Sequence, residues 1–346
     1  MGFVLCTRRL PEDVVRWLRE ALSAGPTFEL HLPDSDEPMP RSTLLTEVRG
    51  AVGLLSFLTD GIDRELFDAA GPDLRVVSTV AVGYDNIDVA EATRRGILVT
   101  NTPGVLTETT ADLTWALILA ACRRLGEAID QLREGRWTSW RLLELAGVDV
   151  YGATLGIVGL GRIGRAVARR AGGFAMRVIY YSRRPDPAFE RVTGAGFRRR
   201  LDDLLREADI VSLHVPLTPQ TRGLIGAREL ALMKPTSVLV NTSRGPVVDE
   251  AALAEALEAR RIFAAGLDVY EREPLPPESP LRRLPNAVLL PHIGSATVRT
   301  RTEMARLAAR NLAAALTGGT PPSPVNPEVL TAAARLRTAG TRSIRA

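Results

Sequence analysis

Apolar runs alternate with charged, amphipathic stretches along most of this chain. In the first third the runs are FVLC (3–6), AVGLLSFL (51–58), LRVVSTVAV (74–82) and GILVTN (96–101). Short, nearly continuous apolar runs suit strands covered on both faces, and amphipathic segments between them suit crossover helices, so the pattern predicts α/β structure on a parallel sheet. The punctuation Asn101, Thr102, Pro103, Gly104 precedes a long helix expected over Thr107 to Arg124. A second series of strands follows at 154–159, Val178 to Ser182, Ile210 to Val215, Ser237 to Asn241, Ala264 to Val269 and Ala287 to Leu290. Six strands make a complete dinucleotide-binding sheet. The last helix, Ser295 to Leu316, begins after the turn PHIG and is expected to return to the N-terminal part, leaving that domain discontinuous. The expected division is 1–101 with 293–330 as one domain and 102–292 as the other, with a ligand cleft between them.

The stretch ATLGIVGLGRIGRAVA (153–168) sharpens the second domain. An apolar strand runs into GLGRIG and then into an amphipathic helix with Ile163, Ala166 and Val167 at helical spacing. Gly159 permits a tight turn, Gly161 lets the backbone approach a pyrophosphate, and Gly164 lets helix pack on strand. The helix start, through Leu160, Arg162 and Ile163, offers free N–H groups and a partial positive charge.

Composition narrows the alternatives. At 346 residues with 45% apolar residues the chain can build two cores. The apolar run Trp115 to Cys122 is far short of the ~18 residues of a membrane span, and Arg8 and Arg9 break the N-terminal run, so neither a span nor a signal peptide is expected. Cys6 and Cys122 do not make a disulfide framework, and a cytoplasmic location is expected. The pI near 9.5 invites a nucleic-acid partner. Yet the net charge is only +4, Lys234 is the only lysine, and the arginines at 198–200 are followed by acids from Asp202 to Asp209 without an aromatic platform. A solvated face is the expectation. The tail after Leu330 is basic and poor in large apolar residues, and disorder is expected there.

Three motifs at the ends of predicted strands carry candidate chemistry: NTSRGPVVDEAAL (241–253), GLDVYEREP (266–274) and LLPHIGSAT (289–297). In an open α/β sheet ligands bind at the carboxyl ends of strands, so Arg244, Glu273 and His292 are expected to converge. Each alone has a plain structural explanation, as a helix cap, a solvated loop acid and a half-buried histidine. Together, behind a dinucleotide loop, they suit reduction of a carbonyl, in which charge builds on oxygen and a proton donor is needed. His292 is the candidate donor. A carboxylate at its other ring nitrogen would favour the imidazolium, and Arg244 offers a planar fork to a substrate carboxylate and carbonyl. A metal is not expected, since the only histidines are 31, 214 and 292 and no ligand spacing appears.

With these motifs in hand the chain resembles the D-isomer-specific 2-hydroxyacid dehydrogenases, and within them the glyoxylate/hydroxypyruvate reductases. The resemblance runs from Phe3 to about Asn326 through VAVGYDNIDVAEATRRGILVTNTPGVLTETTADLTWALIL, RWTSW, GLGRIG, HVPLTPQT, NTSRG, GLDVYEREP and PHIGSAT. It implies a Rossmann-type nucleotide domain beside a flavodoxin-like substrate domain. It implies catalytic Arg244, Glu273 and His292, and an anion-binding turn at Val82 and Gly83. Leu58, Trp140 and Ser295 would contact a 2-oxo or 2-hydroxy acid, Trp140 reaching into the neighbouring subunit of a homodimer. Thr110, His214, Pro216, Thr221, Thr242, Asp268 and Gly294 would line the cofactor with the glycine loop.

The choice of cofactor is read where the second nucleotide-domain strand ends. NAD-specific folds place an acid there for the ribose 2′-hydroxyl. Here VIYYSRRPD brings Ser182, Arg183 and Arg184, with no acid before Asp186, which suits the 2′-phosphate of NADP(H), with NAD(H) as the alternative. Other dehydrogenases of the family, for phosphoglycerate, phosphite or formate, remain alternatives, although the phosphite enzymes carry lysine where this chain has Ala81. A dinucleotide-sensing corepressor is the non-enzymatic alternative.

Overall fold

The computed structural model describes residues 2–23 and 27–331. They form two compact units, one built from the chain up to Leu106 and from Thr297 onward, the other from Thr107–Ala296. The divisions therefore fall where two helices begin, a few residues beyond the expected 101/102 and 292/293. The tail beyond Thr331 lies outside the described residues.

The first unit holds five parallel strands, β1 (Phe3–Cys6), β2 (Glu29–His31), β3 (Ala51–Ser56), β4 (Val76–Thr79) and β5 (Leu98–Thr100), in the order β2-β1-β3-β4-β5. That is the flavodoxin-like order of a doubly wound sheet. Sequence pattern misses β2, a three-residue edge strand whose ends are exposed and polar. One face is closed by helices that carry their own start signals: Asp63 caps Arg64–Ala70 through the N–H of Leu66, and Asp88 caps Val89–Arg94 through that of Glu91. Leu44, Leu54, Ile62, Phe67, Val77 and Val99 fill the core between. Against the sheet packs the last helix, Val298–Thr317, capped by Thr297 and stopped by Gly318 in a left-handed conformation. Its Arg306 pairs with Asp13, and Ser78 donates to the carbonyl of Ala308 at 2.8 Å.

The second unit holds seven parallel strands, β6 (Thr154–Val158), β7 (Arg177–Tyr181), β8 (Gly196–Arg198), β9 (Ile210–Leu213), β10 (Val238–Asn241), β11 (Ala264–Leu267) and β12 (Ala287–Leu289). Their order, β12-β11-β10-β9-β6-β7-β8, is the Rossmann arrangement with one additional strand. The strand missing from the expected six is β8, another three-residue edge strand in an arginine-rich stretch. Two cores, one around Trp115, Ile157 and Tyr180 and one around Leu204, Leu239 and Leu257, cover its two faces. The order reverses between β6 and β9, so the crevice for a ligand opens beyond the carboxyl ends of those strands.

Candidate active site

Beyond β6 the chain turns through Gly159 at φ +98°, where a Cβ would lie 2.7 Å from the carbonyl oxygen of His214. At Gly164 a Cβ would lie 2.2 Å from the carbonyl oxygen of Gly159, so only glycine allows the helix this close to the turn. Gly161, by contrast, faces open space. The nine-residue helix Arg162–Arg170 that starts there has no side-chain cap and no acid in its first turn, leaving N–H groups for an anion. This cradle fits a dinucleotide pyrophosphate. Leu160 is buried, Ile163 half-buried and Arg162 exposed.

At the end of β7, the Ser182 hydroxyl donates to the carbonyl of Arg184, while Arg183 and Arg184 are exposed. The first acid, Asp186, is engaged: one carboxylate oxygen caps Pro187–Thr193 at the Phe189 N–H and the other pairs with Arg165. Both bonds hold its pKa below the usual carboxylate range.

Three strand-end loops carry the candidate residues Arg244, Glu273 and His292. After β10, the carbonyl of Arg244 accepts from the Asn241 amide at 2.9 Å, and its guanidinium donates to the carbonyl of Ser243 at 2.8 Å. Gly245 presses this loop on the one after β11, since a Cβ there would lie 1.8 Å from the backbone of Tyr270. In that second loop the Tyr270 N–H donates to Glu273 Oε1 at 3.0 Å, while Glu273 Oε2 faces His292 Nδ1 at 2.6 Å. Burial works to raise the pKa of Glu273. The bond and charge of His292, the Tyr270 N–H and Arg244 outweigh it and hold the carboxyl below its ordinary value. An ionised Glu273 can only accept, so Nδ1 carries the shared proton and Nε2 is left for a substrate. Both side chains remain more than a quarter exposed, which leaves them accessible.

His292 itself sits at φ +53°, a conformation that residues with a Cβ seldom adopt. The loop is held there by Asp268, whose Oδ1 accepts the Ile293 N–H and Oδ2 the Gly294 N–H, each at 2.7 Å. Burial, assisted by Glu273 and opposed by these bonds and by His292, raises the pKa of Asp268. Asp268 is expected to line the cofactor, and within the protein its carboxylate holds the two N–H groups that follow His292. Tyr270, which the motif reading passed over, donates its hydroxyl to the carbonyl of Leu290 at 2.9 Å and ties the second loop to the third.

The remaining expected residues fall as follows. Thr114 and Thr242 share a buried hydroxyl bond of 2.9 Å, Thr110 is buried, and Thr221 donates to the carbonyl of Pro216 at 2.6 Å. The His214 ring is bonded to Ser212 at 2.8 Å, and burial pushes its pKa down to about 3, so it is neutral and its carbonyl borders the glycine turn. Ser295 is half-buried in the turn after His292. In the first unit, Val82 and Gly83 follow β4, the Val82 carbonyl accepting from Asn101 at 2.8 Å, and Leu58 stands 39% exposed on the loop after β3. Trp140 is 74% exposed. No cluster that could hold a metal, and no helix long and apolar enough to cross a membrane, occurs among the described residues.

Residues 115–294 match the family profile of the D-isomer specific 2-hydroxyacid dehydrogenase NAD binding domain. The chain is 52% identical over 330 residues to a glyoxylate reductase of Korarchaeum cryptofilum, covering 94% of this chain and 96% of that protein. It is likewise 52% identical over 331 residues to a glyoxylate reductase of Thermococcus kodakarensis, covering 94% and 97%. Among solved structures it is similar to an NADPH-dependent glyoxylate/hydroxypyruvate reductase from Sinorhizobium meliloti in complex with NADP and malonate. There the TM-score is 0.80 at 36% identity, with 94% of this chain and 96% of that one covered.

Proposed function

The chain belongs to the D-isomer specific 2-hydroxyacid dehydrogenase family, and we propose that it reduces glyoxylate or hydroxypyruvate to the corresponding D-2-hydroxy acid, using NADPH in preference to NADH. The observation that carries this reading is the 2.6 Å bond between His292 Nδ1 and Glu273 Oε2, with Arg244 close enough for its charge to act on the carboxylate. A bound reduced nicotinamide supplies the hydride. The protein supplies the rest. Arg244 orients the 2-oxo acid through a bidentate fork and offsets charge growing on the carbonyl oxygen. His292 gives its Nε2 proton to that oxygen, and Glu273, ionised throughout, stabilises the imidazolium before transfer. Val82 and Gly83 would offer N–H groups to the substrate carboxylate, since neither donates to an acceptor among the described residues.

The preference for NADPH is supported by Arg183 and Arg184, which are exposed at the end of β7, and by the engagement of Asp186 elsewhere. A homodimer belongs to the same reading. Trp137, Trp140, Leu142 and Leu143 are each more than half exposed on the connection between the helix Leu125–Arg133 and β6, and a second copy of the chain would cover them. Two free, buried cysteines suit a reducing compartment, and the proposed location is the cytoplasm.

The test is NADPH oxidation followed at the nicotinamide absorbance, with glyoxylate, hydroxypyruvate and pyruvate in turn. The expected order places both of the first two well above pyruvate. Tight NADPH binding without turnover of any 2-oxo acid would overturn the enzymatic reading in favour of a dinucleotide sensor.

A further inference from the structure

The loop that presents Leu58 is tied to the segment after Gly83 by a single side chain. Both amide hydrogens of Asn86 are used, one on the carbonyl of Phe57 at 3.1 Å and one on that of Asp60 at 2.8 Å, the residues on either side of Leu58 and Thr59. The backbone completes the tie: the Ile62 N–H donates to the carbonyl of Asn86 at 2.9 Å and the Asp88 N–H to that of Ile62 at 2.8 Å. Ile62 and Ile87 pair as an isolated parallel bridge, and both are buried in the core of this unit. The loop also closes on itself, because Asp60 Oδ2 accepts the Phe57 N–H at 2.8 Å and the hydroxyl of Thr7. Leu58 is thereby exposed on a loop whose two ends are bonded to one amide.

We propose that Asn86 is a positioning residue for substrate recognition. Its amide fixes the spacing between the apolar contact at Leu58 and the anion-binding turn at Val82 and Gly83. The inference rests on the reading that those three residues bind the 2-oxo acid. A small substrate has few contacts, so a shift of about 1 Å in one of them relative to another weakens binding out of proportion to its size. Asn86 touches no substrate. It acts by removing the freedom of the Leu58 loop before binding, a cost the substrate would otherwise meet.

The experiment compares wild type with Asn86→Leu, which removes both donors at similar volume, and Asn86→Asp, which keeps the shape and removes them. Amide hydrogen exchange at Phe57, Asp60 and Ile62 is measured beside the steady-state constants. Expected in either folded variant are faster exchange at these amides, a KM for glyoxylate raised by about five- to twentyfold, kcat within about twofold, and an unchanged KM for NADPH. Unchanged exchange, or faster exchange with an unchanged KM for glyoxylate, would overturn the proposal. So would a parallel loss of kcat and NADPH binding, which marks a general structural defect. If neither variant folds, unprotected exchange at the three amides of wild type would overturn it and slow exchange would support it. Leu58→Ala serves as the control for the underlying reading: if it leaves the KM for glyoxylate unchanged, the substrate assignment fails while the exchange data still decide what Asn86 does.

Discussion

Asp268 Oδ2 accepts the backbone N–H of Gly294 at 2.7 Å, and Oδ1 accepts that of Ile293 at the same distance. A buried carboxylate thus holds the loop that keeps His292 at φ +53°. An amide at this position can accept only on one side. Asp268→Asn is expected to leave one loop N–H facing an NH₂ group, which costs about 1–3 kcal/mol, to lower Tm by several degrees and to reduce kcat at least about tenfold. Thermal unfolding and initial rates check this. A lower Tm with full activity would show that the loop need not be held for catalysis.

Glu273 has its pKa lowered despite its burial, so it is ionised wherever the enzyme works in the neutral range and loses its charge only as pH falls through that lowered value. Glu273→Gln removes this charge while keeping the shape. Nδ1 of His292 then faces a neutral group, and the pH profile of reductase activity is expected to lie at lower pH than in wild type. A pH profile of kcat/KM reads the shift. Superimposable profiles would remove Glu273 from the proton donor's support.

Replacing Arg183 and Arg184 together with uncharged residues is expected to raise the KM for NADPH and leave that for NADH nearly unchanged. One charge-assisted contact is worth about 1.5–3 kcal/mol, so the preference falls by about tenfold or more. A wild-type enzyme that prefers NADH would contradict the assignment outright.

Much of this was legible in the sequence because the strands of both sheets are short apolar runs with turn residues at their ends. The two strands that escaped, Glu29–His31 and Gly196–Arg198, lie at sheet edges, where a strand needs no apolar face on either side and leaves no periodic trace. Arg244, Glu273 and His292 were legible because each follows a strand in a polar, glycine- or proline-containing motif. The bonds that Asp268 and Tyr270 make to the loop around His292 were not legible, since a motif shows which residues are present but not which carboxylate or hydroxyl faces the neighbouring loop. The tie made by Asn86 left no trace in the sequence. Its bonds run to backbone carbonyls near Leu58, and backbone acceptors have no sequence signature.

Trp140 is expected to act across a subunit boundary. Trp140→Ala should change the KM for the 2-oxo acid by several-fold with NADPH affinity held, and light scattering on the wild-type protein should give twice the chain mass. A fully active monomer at assay concentration would contradict this part of the reading.

The central claim is that His292 delivers the proton, and the most direct measurement is the turnover of glyoxylate by His292→Ala together with its NADPH affinity by fluorescence titration. A fall in kcat of about 10²- to 10⁴-fold with NADPH binding nearly intact is the predicted result. A kcat within about tenfold of wild type, or a loss matched by an equal loss of NADPH binding, would contradict it.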